Sequence, residues 1–235
     1  MKDNHWNMPA NKIMALFIAK KQLVNLVYDA VNLEGINFTI PEVQTLLEGI
    51  TVGGHKLSDQ TIAVNQGKAW EQLFDWLKQD QFVLSKELAC NLHAIAGKEE
   101  AMEWGEFRTG QVFISGTDYA PPHHSELDEL FSKLIDEIIE TNDVYDNAIH
   151  LFLSMARNQF FYDVNKRMGR FMMNGYLLSH GYPVINVPAK RQLEFNELMI
   201  AFYESGNQLA MNKFLRSCLG ANAISMMRES HAKKP

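Results

Sequence analysis

Apolar residues recur at helical spacing along most of this chain, and that periodicity limits it to a helical fold. The spacing predicts helices over about 13–35, 41–49, 58–78, 84–96, 124–140, 143–158, 164–180, 189–204 and 206–218. The stretch 105–122 is different, because its glycines and prolines flank a β-prone run, Gln111-Val112-Phe113-Ile114. We therefore predict an all-α bundle that carries one short β-hairpin flap.

The length of the chain, 235 residues, suits one large domain or one domain with a small appendage. No internal repeat or linker divides it into equal halves. We expect an N-terminal helical region over residues 1–80, a core over 81–220 and a frayed tail over 221–235.

The charge balance argues against partners that are bound through bulk positive charge. The 22 basic and 28 acidic residues give a formal charge of −6, so neither a nucleic acid nor a membrane is an expected partner.

Cys90 and Cys218 form no CxxC or Cys/His cluster, which argues against disulfide frameworks and zinc modules. Residues 1–11 lack the apolar segment of a secretory signal. We expect a cytoplasmic protein, and the sequence leaves a homo-oligomer open.

The most informative segment is Asn158–Arg170, where two predicted helices meet. Asp163 is placed to cap the second helix, and Arg167, Arg170 and Asn174 follow at a spacing that puts them on one side of it. Free N–H groups at a helix N-terminus and two arginines suit phosphate oxygens, and Asp163 could hold a Mg²⁺ that bridges them. The same residues would also suit an ordinary N-cap and a solvated helix face.

This segment resembles the signature of the Fic/Doc family, His-Pro-Phe-x-Asp-Gly-Asn-Gly/Lys-Arg-x-x-Arg. The resemblance covers roughly residues 85–218 and includes Gly105-Glu-Phe-Arg108 and Pro121-Pro122. Residues that match the signature are Phe161, Asp163, Asn165, Lys166, Arg167 and Arg170.

The resemblance implies a helical Fic fold and a transfer from ATP to a hydroxyl group of a target protein. Most active members transfer AMP, and Doc-like members, whose Asn-Lys-Arg triplet resembles residues 165–167, transfer phosphate. By the same resemblance, Asp163 holds Mg²⁺, and the phosphates lie against Val164, Asn165, Lys166, Arg167 and Arg170. The flap residues Gln111–Ile114 would bind an unknown target protein by strand addition.

The base position of the signature is occupied by Gln159, where the family has histidine. Glutamine can orient a hydroxyl but cannot accept its proton, and the loss of a positioned base typically slows a reaction about 10²–10⁴-fold. Phe160, Val164 and Lys166 replace the proline and the two glycines of the motif, so the orientation of ATP is also in question. Lys166 could itself bind phosphate.

Other histidines are poor substitutes for this base. His150 lies on the preceding helix, two and a half turns from Gln159, which favours a structural role. His123 and His124 follow the flap and favour an exposed first turn of a helix.

Many Fic proteins carry an inhibitory helix that ends in Ser/Thr-x-x-x-Glu-Gly/Asn and whose glutamate pairs with the last arginine of the signature. Leu47-Glu48-Gly49, at the end of a predicted helix over about 40–49, resembles this ending, although Gln44 holds the Ser/Thr position. A glutamate in the last turn opposes the helix dipole, and a salt bridge to Arg170 would account for it. A solvent-facing glutamate beside a capping glycine is the alternative.

The sequence therefore leaves two main hypotheses. The first is a self-inhibited Fic-type transferase with weak or altered activity that uses ATP and Mg²⁺. The second is a pseudoenzyme that binds a nucleotide or a partner protein. A helical protein in which the motif is a relic is a third possibility, and the retained Asp163, Asn165, Arg167 and Arg170 speak against it.

Overall fold

The computed structural model describes residues 6–140 and 143–232, and the regular structure in those ranges is helical throughout. The helices are α1 (Lys12–Lys21), α2 (Leu23–Leu33), α3 (Ile40–Leu47), α4 (Leu57–Lys78), α5 (Lys86–Ala96), α6 (Leu127–Glu140), α7 (Val144–Asn158), α8 (Asn165–Ser179), α9 (Gln192–Ser205), α10 (Leu209–Ser217) and α11 (Ala221–Ala232). The predicted all-α fold is confirmed. None of these helices combines the length and the apolarity needed to cross a bilayer.

Helices α7 and α8 form the centre of the core. α8 is buried around most of its circumference, and its buried residues include Arg167, Arg170 and Asn174. A Cβ atom at Gly169 would lie 2.8 Å from the carbonyl oxygen of Phe152 on α7. Glycine at this position therefore allows the two helices to approach closely.

The N-terminal helices bring the end of α2 to α8. Helix α2 contacts α3 and α4, and α4 in turn contacts α8. The buried carboxylate of Asp29 on α2 accepts hydrogen bonds from the Nδ2 atom of Asn186 and from the backbone N–H of Ala189. These bonds tie α2 to the segment that follows α8 and place Glu34 beside Lys166 and Arg170.

The structure departs from the predicted elements in three places. The first predicted helix is interrupted at Gln22, which separates α1 from α2. Residues 221–232, predicted as frayed, form α11, because Ala223 and Met227 bury their side chains and the helix contacts α1. The flap has no strand among its described residues, so the predicted β-hairpin is an irregular segment.

Candidate functional site

A cavity of about 430 Å³ opens at the N-terminus of α8. Its walls come from the α7–α8 loop, the start of α8, the flap, the residue after α2 and one side of α9. The lining residues are Gln159, Asp163, Val164, Asn165, Lys166, Arg167, Phe113, Ile114, Ser115, Glu34, Asn196, Met199, Ile200 and Tyr203. The structure therefore brings together most of the residues that the signature predicts.

The loop between α7 and α8 is held by the buried side chain of Asn165. Its Oδ1 atom accepts from the backbone N–H of Phe161 at 2.9 Å, and its Nδ2 atom donates to the carbonyl oxygen of Phe161 at 2.7 Å. The same Nδ2 atom donates to Oε1 of Gln159 at 3.0 Å. Asn165 thus fixes the loop that shapes the floor of the cavity.

Val164, and not the predicted Asp163, occupies the N-cap position of α8. Val164 has a left-handed backbone with φ 66°, which strains a β-branched residue and explains why the family signature has glycine here. Asp163 is exposed, and its Oδ1 atom accepts from the backbone N–H of Val164 at 2.6 Å. The first N–H groups of α8 have no acceptor inside the helix, so the helix presents donors and a partial positive charge at the cavity.

Glu34 is held at this end of α8 by two cations. One carboxylate oxygen lies 3.0 Å from Nζ of Lys166, and the other lies 3.0 Å from Nη2 of Arg170. Burial raises the pKa of Glu34, but the charges of Lys166 and Arg170 outweigh burial and hold that pKa below its ordinary value. Glu34 lines the cavity, whereas Arg170 is not among the described lining residues and lies behind the Glu34 carboxylate.

The predicted salt bridge between Glu48 and Arg170 is wrong, because Glu34 takes that place. Glu48 is exposed at the end of α3, where its carboxylate accepts from the Nε2 atom of Gln44 at 3.1 Å. The sequence did contain a signal for Glu34. Glu34-Gly35 also ends a helix, with Ala30 in the Ser/Thr position, so the Glu-Gly ending occurs twice in the first fifty residues.

Glu100 is a further residue that sequence reasoning missed. Its carboxylate forms a two-pronged salt bridge with the buried guanidinium of Arg167, with one hydrogen bond from Nη1 at 2.8 Å and a second from Nη2. Glu100 lies in an irregular segment after α5, and no motif marked it. Arg167 therefore reaches the cavity already paired.

Gln159 ends α7 in a left-handed conformation, and both ends of its side-chain amide are bonded within the protein. Its Nε2 atom donates to the carbonyl oxygen of Ala156 at 2.6 Å, and its Oε1 atom accepts from Asn165. His150 pairs with Glu137 and Gln208, as expected for a structural histidine. Neither His123 nor His124 is among the described residues that line the cavity.

The flap reaches the cavity through Phe113 and Ile114, and the Phe113 side chain is 90% exposed. Val112 is buried instead, and Gln111 donates to the carbonyl oxygen of Pro121 at 3.1 Å. Both ends of the flap are anchored by buried Arg108. Its guanidinium donates to the carbonyl oxygens of Gly110 at 2.7 Å, Pro122 at 2.6 Å and Gln159 at 2.6 Å.

The buried side chain of His93 holds the backbone of Asp163, the candidate metal ligand, through a hydrogen bond. The N–H of Gly105 donates to Nδ1 of His93 at 3.0 Å, so Nε2 carries the proton and donates to the carbonyl oxygen of Asp163 at 3.3 Å. The imidazole also stacks on the ring of Phe161, with centroids 3.9 Å apart. Burial lowers the pKa of His93 from 6.5 to about 4.

We expect the free energy of unfolding to decrease by up to ~3 kcal/mol as the pH falls from 6.5 to 4, because the unfolded chain then binds a proton that folded His93 excludes. Urea denaturation across this range should show a flatter acid limb for His93→Gln than for the wild type. The exposed His123 gives a matched control, since His123→Gln should keep the wild-type slope. Parallel curves for wild type and His93→Gln would contradict the prediction.

Asp163 is the candidate protein ligand for a divalent cation at this site. Among the described residues, no group of three His, Cys, Asp or Glu side chains could hold a metal ion. A single carboxylate such as that of Asp163 could hold a Mg²⁺ only together with phosphate and water oxygens, which is how Mg²⁺ is commonly bound in phosphate-handling sites.

Comparison with known proteins finds similarity to Fic proteins. The family model described as the Fic/DOC family matches residues 83–177. The protein adenylyltransferase Fic of Drosophila willistoni is 25% identical over an alignment of 211 residues that covers 86% of this chain and 41% of that protein. The Drosophila erecta protein of the same name is 25% identical over 208 residues. The chain thus spans about two fifths of the length of these curated relatives.

Solved structures agree on the fold. Fic-1 from C. elegans superposes with a TM-score of 0.80 at 16% identity, covering 98% of this chain and 70% of that chain. A Fic domain containing signaling protein from Bacteroides thetaiotaomicron gives a TM-score of 0.76 at 17% identity, covering 96% and 93%. The family match over residues 83–177, the segment that contains the signature, supports membership of the Fic/DOC family, and the solved structures show that the fold is that of Fic proteins.

Proposed function

We propose that the cavity binds the phosphates of a nucleotide such as ATP, and that Glu34 blocks the place of the terminal phosphate. The observation that carries this proposal is the Glu34 carboxylate, held with one oxygen on Lys166 and the other on Arg170. A carboxylate that two cations bind in this way takes the position that two phosphate oxygens would take.

The surroundings of this carboxylate support the proposal. The N-terminus of α8 supplies free N–H groups, and Lys166 and Arg167 place two side-chain cations along the wall of the cavity. A bound Mg²⁺ would add charge neutralisation at the phosphate oxygens, with Asp163 as its protein ligand. Phe113 and Ile114 of the flap would lie beside the nucleotide, where a target segment must approach.

We further propose that this chain transfers AMP to protein hydroxyls only weakly. Curated relatives at 24–25% identity are named protein adenylyltransferases, which supports an AMP-transferring ancestry. Gln159 cannot accept the proton of an attacking hydroxyl, and its amide is occupied by Ala156 and Asn165. Self-inhibition by Glu34 and the missing base would both lower the rate.

A nucleotide-binding pseudoenzyme is the second candidate, and the bonded amide of Gln159 is the observation that favours it. In that case the role of Gln159 is to stabilise the α7–α8 loop through these hydrogen bonds. The remaining enzymatic alternative is a Doc-like phosphate transfer, which Lys166 suggests. The position of the radiolabel distinguishes the two reactions, because γ-labelled ATP reports phosphate transfer and α-labelled ATP reports AMP transfer.

Titration calorimetry with Mg-ATP and Mg-ADP tests the proposed site. We expect one nucleotide per chain for the wild type. Ile200→Trp, which fills the cavity, should weaken binding at least about tenfold, because the added ring occupies the nucleotide volume. Leu193→Trp, an exposed position on the same helix, should leave binding unchanged. Absence of heat with ATP, ADP, GTP, CTP and UTP at millimolar concentration would contradict the proposal.

A further inference from the structure

We propose that Lys166 is a built-in cation that lets this chain bind nucleotide phosphates without a divalent metal ion. This inference rests on the nucleotide site proposed above. It concerns the metal requirement of the site, which neither the fold nor the comparisons address.

The first support is the position of Lys166. The residue lies in the first turn of α8, lines the cavity, and keeps 31% of its side chain exposed. Its Nζ atom already binds a carboxylate oxygen of Glu34 at 3.0 Å. The ammonium group is therefore located where an anion is bound.

The second support is that Lys166 can change partner at low cost. When its Nζ atom turns to a phosphate oxygen, Glu34 still keeps Arg170 at 3.0 Å. Neither carboxylate nor ammonium is then left buried without a partner, which is the costly outcome for a charge in a protein interior.

The third support is that Arg167 and Arg170 are less accessible to a phosphate in the cavity than Lys166 is. The guanidinium of Arg167 donates to both carboxylate oxygens of Glu100, and Arg170 lies behind Glu34. With Glu34 in place, Lys166 is thus the cation that can neutralise the phosphates of a diphosphate or triphosphate. Its point charge and flexible stem suit this task.

The fourth support is the limited donor set for a metal ion. Asp163 is exposed, and one of its carboxylate oxygens is occupied by the N–H of Val164. A Mg²⁺ ion needs six oxygen ligands, so nearly all of them would have to come from the nucleotide and water. The protein therefore supplies an ammonium group at this site and few ligands for a metal ion.

Calorimetry with ADP as the probe tests this inference. ADP is titrated into the wild type in 5 mM Mg²⁺ and, separately, in excess EDTA, using the full chain. We expect the two dissociation constants to agree within about threefold. In EDTA, Lys166→Met should weaken ADP binding at least about tenfold, since the loss of one charged contact costs roughly 1.5–3 kcal/mol. Added Mg²⁺ should recover part of that loss.

Two further variants separate charge from structure. Lys166→Arg keeps the cation and should retain binding in EDTA, whereas Lys190→Met removes an exposed lysine outside the cavity and should have no effect. Wild-type binding that is at least tenfold weaker in EDTA, with no further loss in Lys166→Met, would overturn the inference and leave the proposed nucleotide site intact. Failure to bind ADP or ATP in either buffer would overturn both.

Discussion

Replacing Glu34 with glycine is expected to tighten ATP binding about 10–100-fold. The wild-type chain must break the Glu34–Arg170 salt bridge before a terminal phosphate can reach Arg170. A hydrogen bond to a charged group contributes about 1.5–3 kcal/mol, and each 1.4 kcal/mol corresponds to a factor of ten in affinity. Glycine removes the competing carboxylate and leaves Lys166 and Arg170 for the phosphates. Calorimetry of wild type and variant with ATP measures the difference.

Glu48→Gly provides the matched control for this experiment. Glu48 is also followed by glycine at a helix end, but it is exposed and bonded to Gln44. Its replacement should leave the ATP affinity at the wild-type value, and Glu34→Gln should give an intermediate gain because the amide keeps its size but loses its charge. Equal effects of Glu34→Gly and Glu48→Gly would show that the contact with Arg170 does not control the site.

The second large effect is expected from restoring the base. In the Glu34→Gly background, Gln159→His should raise AMP transfer from α-labelled ATP about 10²–10⁴-fold, whether to the chain itself or to proteins in a lysate. Residue 159 lines the cavity at the start of the α7–α8 loop, so an imidazole there can reach a hydroxyl at the mouth of the cavity. The gain should come mainly in kcat, because the side-chain amide of Gln159 is bonded to Ala156 and Asn165 and not to Lys166 or Arg170.

The outcome of the base experiment is judged against two controls. Gln159→Asn in the same background should give no gain, since it has no titratable group near neutral pH. Adding Arg170→Met to the active variant should abolish labelling. A Gln159→His, Glu34→Gly protein that binds ATP and transfers neither AMP nor phosphate would refute a latent transferase and favour the pseudoenzyme.

Much of the core could be predicted from the sequence, because it depends on local periodicity. Apolar spacing fixes α7 and α8, and Met168, Phe171 and Met172 are buried as that spacing requires. The signature residues lie on consecutive turns, so their convergence at one helix end follows from helix geometry alone. The alternative of a solvated helix face, which the sequence left open, is wrong, because Arg167 and Arg170 are buried.

The missed features depend on contacts between distant segments. Glu34 and Arg170 are 136 positions apart, and Glu100 and Arg167 are 67 apart, so no local pattern reveals either pair. The Glu-Gly ending occurs at both Glu34 and Glu48, and only the packing of α2 against the rest of the bundle selects Glu34. The helix α11 was missed for the same reason, since its stability comes from contact with α1.

The most direct test of the account is a crystal structure of Glu34→Gly grown with ATP. We predict that the nucleotide lies in the cavity at the N-terminus of α8, with its terminal phosphate within hydrogen-bond distance of the Arg170 guanidinium and another phosphate oxygen on Nζ of Lys166. A nucleotide bound elsewhere, or bound in this cavity with its phosphates away from both cations, would contradict the claim that Glu34 stands in for a phosphate.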